Sequence, residues 1–335
     1  MERGAQEMKR FLRSATVLGT VLAVAVLGAC SGGGDATDDE TTAAPVGGGG
    51  EVKIAIVLKT LTSEFWQSMK TGAEEKADEL GIQLDVYAAN SEDDVEGQVA
   101  LVENAISQGY DAIGVAPISN VNLNNVVAQA TAAGIYVVNI DEAIDVENLV
   151  GLGGAVQALV TTDNVAVGNM AGEFIVEAIG GSGQVAIIEG KAGVASGEAR
   201  KQGASEAFDA AGLELVDSQP ADWDRTKAFD LATNYLSKYP DLKAIYCAND
   251  TMAMGAQEAV ASSGRDVVVV GTDGNSDAIE SVEAGGLGAT VKQDSAGVGA
   301  KAVELLNDLA TAGGDIDPQA EVEQIRVDAI LVTKS

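Results

Sequence analysis

The sequence predicts an α/β fold of two doubly wound parallel-sheet lobes that face each other across a cleft. Three observations predict it. Short β-branched runs alternate with helical stretches throughout the body of the chain, the order that builds a parallel sheet covered by helices on both faces. The runs fall into two consecutive series, and a body of about 285 residues is large enough for two lobes. The opening run VKIAIVL at 52–58 is nearly all apolar, as in a strand buried on both faces rather than one.

Taken in order, residues 1–29 stand apart from the fold. Lys9, Arg10 and Arg13 precede an apolar stretch over 15–26, which is shorter than the ~20 residues that span a bilayer and has the layout of a secretory signal. It ends in Leu27-Gly28-Ala29-Cys30, a sequence similar to a bacterial lipobox. In that type of signal the cysteine thiol is lipidated and cleavage leaves Cys30 as the first residue, anchored to the cell membrane by several acyl chains. Translation starts at Met1 or Met8. Residues 30–50 are rich in Gly, Asp and Thr without apolar periodicity and read as a flexible tether, reaching about 25 Å.

The first series of strands covers 52–58, 82–87, 112–116 and 135–140, with helices over 95–108 and 122–133. The helix after the first strand opens at Ser63, a candidate N-cap, and places Phe65, Met69, Ala73, Ala77 and Leu80 at helical spacing. The second series has strands over 184–189, 213–216, 244–248, 267–271 and 289–292. Its helices cover 196–211, 226–239, 251–262 and 277–284.

Composition narrows the function. A formal net charge of −31 argues against nucleic acid as a partner. The chain has no histidine, which removes Ser-His-Asp and Cys-His nucleophilic sites and His-ligated zinc. No metal or cofactor is called for, and Cys247, unpaired once Cys30 is lipidated, reads as a buried small hydrophobe.

In open α/β sheets, ligands bind beyond the carboxyl ends of the strands, and polar groups collect there. Lys59 follows the first strand, with Phe65 and Trp66 on the first turn of the next helix. Asp141 and Glu142 close another strand, Asn249 and Asp250 a third, Asp273 a fourth, and Gln293 a fifth. Arg200 lies near a helix start, and Trp223 in the polar loop 220–225. Each sugar hydroxyl both donates and accepts, so this mixture of carboxylates, amides and cations suits a polyhydroxylated ligand. Aromatic faces suit its ring. Taken singly, the aromatics also serve as core plugs and the acidic residues as caps, a reading favoured for Asp250 and Asp277.

Residues 52–332 carry IAIVLKTL, VNLNNVVA, VVNIDEAID, VTTDNVAVG, VAIIEGKAG, ASGEAR, SQPADWDR, AIYCANDTMAMG, VVGTDG and DAILVT. On these segments the chain resembles the periplasmic sugar-binding proteins of the ribose type, and within them the allose-binding branch. The resemblance implies a type I periplasmic binding fold whose lobes are joined by a three-segment hinge, with crossings near Val156, Asp294 and Glu323. The N-terminal lobe would then be 51–156 with 294–322, and the C-terminal lobe 157–293 with 323–335. It implies ligand contacts at Lys59, Phe65, Trp66, Asp141, Glu142, Arg200, Trp223, Asn249, Asp273 and Gln293. Two positions near the site depart from the family pattern. Ser63-Glu64 stands where the family often has Asn-Pro, and Val194 where the allose branch tends to carry Asn.

The expected protein is therefore a monomeric, lipid-anchored, extracytoplasmic solute-binding protein. It would pass a monosaccharide, D-allose or else ribose or a related aldose, to the permease of an ABC importer. The rivals are a sensor that presents sugar to a membrane receptor, and a glycoside hydrolase using Asp141 with Asp273 as its facing carboxylates.

Overall fold

The computed structural model describes residues 52–335. The leader, Cys30 and the tether lie outside the described residues. In chain order, β1 (Lys53–Leu58), α1 (Glu64–Leu80), β2 (Gln83–Ala88), α2 (Val95–Ser107), β3 (Ala112–Val115), α3 (Asn124–Ala132), β4 (Tyr136–Ile140), α4 (Val146–Gly151) and β5 (Ala158–Thr162) build most of the first lobe. The second lobe is built by α5 (Asn164–Ala178), β6 (Gln184–Glu189), α6 (Ala195–Ala211), β7 (Glu214–Pro220), α7 (Arg225–Lys238), β8 (Leu242–Cys247), α8 (Asp250–Ser263), β9 (Val268–Asp273), α9 (Ser276–Ala284) and β10 (Ala289–Gln293). Then α10 (Ser295–Ala312) and β11 (Glu323–Val327) return to the first lobe, and β12 (Ala329–Thr333) joins the second.

Each sheet has six strands, ordered β11-β5-β4-β3-β1-β2 and β12-β10-β9-β8-β6-β7. All pairings are parallel except β12 with β10. The apolar runs behave as two-sided strands. Along β1, Ile54, Ile56 and Leu58 pack toward α1 and α10, while Ala55 and Val57 pack toward α2 and α3. Strand β6 divides in the same way, Val185 and Ile187 to one layer and Ala186 and Ile188 to the other. Successive side chains point to opposite faces, so a run buried on both sides has no polar alternation. Helices α1 and α10 approach closely, because a Cβ on Gly72 would stand 2.1 Å from the Ala296 carbonyl oxygen.

The structure moves two of the three expected crossings. The chain leaves the first lobe at Asp163, not near Val156, because β5 pairs with β4 and buries Ala158, Leu159 and Val160 in the first lobe. It leaves again at Asp328 rather than Glu323, since β11 runs parallel to β5 before β12 turns into the second sheet. The middle crossing is at Asp294. Asp163 and Asp294 each cap the helix that follows, accepting from Ala166 N and Gly297 N. Elements α4, β5 and α5 do not show in the periodicity of the sequence. Strand β7 runs on to Pro220 at the sheet edge, where a missing N–H is tolerated. Leu80 is 39% exposed, so the buried stripe of α1 ends at Ala77. Ser63 occupies the N-cap position without a side-chain bond. Cys247 is fully buried, and burial pushes its thiol well up. No helix among the described residues is long and apolar enough to cross a membrane.

Candidate functional site

The carboxyl ends of both sheets point toward one cavity of about 560 Å³, within the size range of small-molecule sites. From the first lobe, the end of β1 supplies Lys59, the start of α1 supplies Phe65 and Trp66, and the end of β4 supplies Asp141. From the second lobe come Arg200 on α6, Trp223 before α7, Asn249 before α8 and Asp273 at the end of β9. Glu142 and Gln293 do not line it; each braces the wall from behind. Gln293 Nε2 donates to Asp273 Oδ1 at 2.7 Å, and its Oε1 is buried with no partner among the described residues.

The wall alternates charge and aromatic surface. Lys59 is buried, 3.8 Å from Glu142 Oε2, with its ammonium 5.6 Å from the centre of the Trp66 ring. Phe65 meets Trp66 edge-on at 4.9 Å. Both aromatics also belong to the hydrophobic cluster under β1, so the core-plug reading and the wall reading describe the same side chains. In the second lobe, Arg200 Nε donates to Asn164 Oδ1 and Nη1 to the Ala248 carbonyl, both at 2.8 Å. Its guanidinium lies 6.0 Å from the Trp223 ring. Trp223 lies in the left-handed region (φ 63°) and packs over Gly190, where a Cβ would fall 2.0 Å from its Cη2. Only glycine admits the indole there.

Asp141 (φ 61°) and Asp273 (φ 120°) are non-glycine residues at positive φ, a conformation that persists where surrounding bonds enforce it. Around Asp273 the enforcement is explicit. The fully buried Asp250 accepts from Gly274 N at 2.7 Å, Asn275 N at 2.8 Å and Thr290 Oγ1 at 2.7 Å, which fixes the turn. Burial pushes the carboxyls of both Asp141 and Asp273 up to about 6, against the opposing pull of Lys59 on the first and Arg200 on the second.

Three clasps join the lobes around this cavity. Glu142 caps α6 from the opposite lobe, accepting from Ala195 N at 2.5 Å, Ser196 N at 3.3 Å and Ser196 Oγ at 3.0 Å. Val194, at the N-cap position, has no side chain able to do so. Glu64 does the same for α9, accepting from Ser276 N at 3.0 Å and Ser276 Oγ at 2.6 Å. Lys191 reaches from the second lobe to the Asp93 carboxylate, and to the Glu92 carbonyl at 3.3 Å. Both departures from the family pattern thus fall at inter-lobe caps, and the lobes are closed on each other.

Residues that sequence reasoning missed also line the cavity, among them Glu92, Ser196, Asp222 and Asn275. Glu92 lies in Ser-Glu-Asp-Asp, which reads as a solvated acidic turn. The signal available for the rest was their place beside strand ends already singled out.

A family model described as a periplasmic binding protein domain matches residues 54–315. Over 284 residues the chain is 52% identical to the D-allose-binding periplasmic protein of Escherichia coli, covering 84% of this chain and 91% of that protein. Over 259 residues it is 36% identical to the ribose import binding protein of Bacillus subtilis, covering 77% and 82%. A solved ABC-transporter solute-binding protein from Actinobacillus succinogenes with bound D-allose superposes with a TM-score of 0.78 at 35% identity, covering 85% of this chain and 98% of that one.

Proposed function

The chain belongs to the periplasmic binding protein family, and from that premise we propose that it captures D-allose between its lobes and delivers it to an ABC importer. It is a binding protein, not an enzyme: its relatives are substrate-binding proteins of ABC transporters. The observation that carries the reading is one cavity walled by an indole and a carboxylate from each lobe, Trp66 with Asp141 and Trp223 with Asp273.

The carboxylates accept ring hydroxyls, Lys59, Arg200 and Asn249 donate to ring oxygens, and the indoles cover the apolar faces of the pyranose. A sugar that touches both lobes binds the closed form better than the open one, so it shifts the population toward closure. The importer then reads the closed surface and separates the lobes. Glu142 and Gln293 act from behind, holding Lys59 and Asp273 in place. Ribose or another related aldose is the alternative cargo.

The leader and tether complete the proposal: Cys30, lipidated on its thiol and then exposed by cleavage after residue 29, holds the body within reach of the permease. A thermal-shift screen over monosaccharides tests the cargo, because a sugar at 100 times its Kd adds about 2.7 kcal/mol of stability. Fractionation tests the anchor. The wild type is expected in the membrane and the Cys30→Ser variant unlipidated; wild type found wholly in the medium would overturn it.

A further inference from the structure

The indole N–H of Trp66 has one hydrogen bond to give, and it gives it to Glu92 Oε1 at 3.0 Å. Glu92 itself lines the cavity, in the loop between β2 and α2. That loop is anchored to its own lobe by Asp94, which accepts from Gly97 N, Asn90 N and Asn90 Nδ2. From the other lobe it is gripped by Lys191, at the Glu92 carbonyl and the Asp93 carboxylate. The Asp93 carboxyl is held below its ordinary range by that lysine.

We propose that Glu92 is a positioning residue for ligand: through the Trp66 N–H···Oε1 bond it fixes the plane of the indole that forms the first-lobe wall of the cavity. Phe65 touches Trp66 edge-on and Lys59 lies over its ring, but neither accepts a hydrogen bond from the indole nitrogen. Without Glu92 the ring keeps its burial and loses the one hydrogen bond that its nitrogen makes. A stacking wall works through its plane, since a tilted indole meets a flat pyranose with its edge. The grip of Lys191 makes the loop that holds Trp66 part of the closed inter-lobe surface. Wall and closure are therefore linked through one short segment.

The proposal rests on the sugar-binding reading, and the test separates the two. Emission of Trp66 is isolated in a Trp223→Phe background, and D-allose affinity is measured by calorimetry in that background. Glu92→Leu is expected to weaken binding about tenfold and to speed the anisotropy decay of Trp66 in the ligand-free protein. Glu92→Gln, which still presents an acceptor oxygen, is expected to restore a slow decay and lose less than threefold in affinity. An anisotropy decay unchanged in Glu92→Leu would overturn the proposal. So would a loss in Glu92→Gln equal to that in Glu92→Leu, because the effect would then be one of charge. Absence of binding by the parent protein to any monosaccharide would overturn the sugar reading, while the ligand-free decay would still decide whether Glu92 positions the indole.

Discussion

The clasp between Glu64 and Ser276 can be removed without disturbing the helix that carries it. Glu64 is the first residue of α1, and Ser63 before it is extended at φ −110° and ψ 155°. Proline suits the first helical position, whose N–H has no intrahelical partner, and demands an extended residue before it. Glu64→Pro is therefore compatible with the backbone and restores the residue common in the family. What it loses is a carboxylate accepting two bonds from the N-terminus of α9. A helix cap is worth about 0.5–2 kcal/mol, and an exposed one falls near the lower half of that range. About 1 kcal/mol then leaves the closed form, or about fivefold in affinity. The bond spans the cleft, so the loss belongs to closure and should appear as faster sugar release in stopped-flow tryptophan emission. The melting temperature of the ligand-free protein should stay level or rise slightly, as proline restricts the unfolded chain. Unchanged release with unchanged Kd would show that the clasp contributes nothing to closure. A drop in ligand-free stability comparable to the affinity loss would show that the residue supports the lobe, not the cleft.

The wall of the cavity is open to perturbation at several residues. Asp141 and Asp273 sit at about 6, above the ordinary carboxyl value of 3.8. The folded protein therefore holds extra protons between the two values. Their contribution to stability is full below about 4 and is lost as the pH rises through about 6. A sugar donating hydroxyls to both carboxylates favours their ionised form, so binding should release protons near pH 6 and affinity should fall from pH 7 to pH 5. Calorimetry in buffers of different ionisation heat reads this directly; no proton release would take both groups out of sugar contact. Asp273→Ala should weaken binding about ten- to hundredfold while the protein stays folded, and an unchanged Kd would remove that carboxylate from the site. Gly190→Ala should push Trp223 off its seat, red-shifting its emission and weakening binding about tenfold; an unmoved spectrum would mean that the indole does not depend on that glycine.

Much of this site is visible in the sequence because one rule places it. Lys59, Asp141, Asn249 and Asp273 follow apolar runs too plain to be anything but buried strands, and ligand chemistry collects at the ends of such strands. Trp66 and Trp223 stand out by their scarcity, the chain having only two tryptophans. Other features depend on contacts between distant segments. The capping of α6 by Glu142 joins residues 53 or 54 positions apart, and that of α9 by Glu64 joins residues 212 apart. Neither leaves a local pattern. Strand β5 leaves a weak signal because Ala158–Thr162 is short and ends in two threonines, so its burial is decided by β4 and β11 on either side rather than by its own periodicity. Glu92 was hidden in an acidic turn whose composition is that of a solvated loop.

Whether the lobes close on a monosaccharide is decided by titration calorimetry of the wild-type body against D-allose, D-ribose and their epimers. One site per chain is expected, filled by D-allose more tightly than by the other sugars. No measurable binding of any monosaccharide at millimolar concentration, by a protein that melts cooperatively, would contradict it.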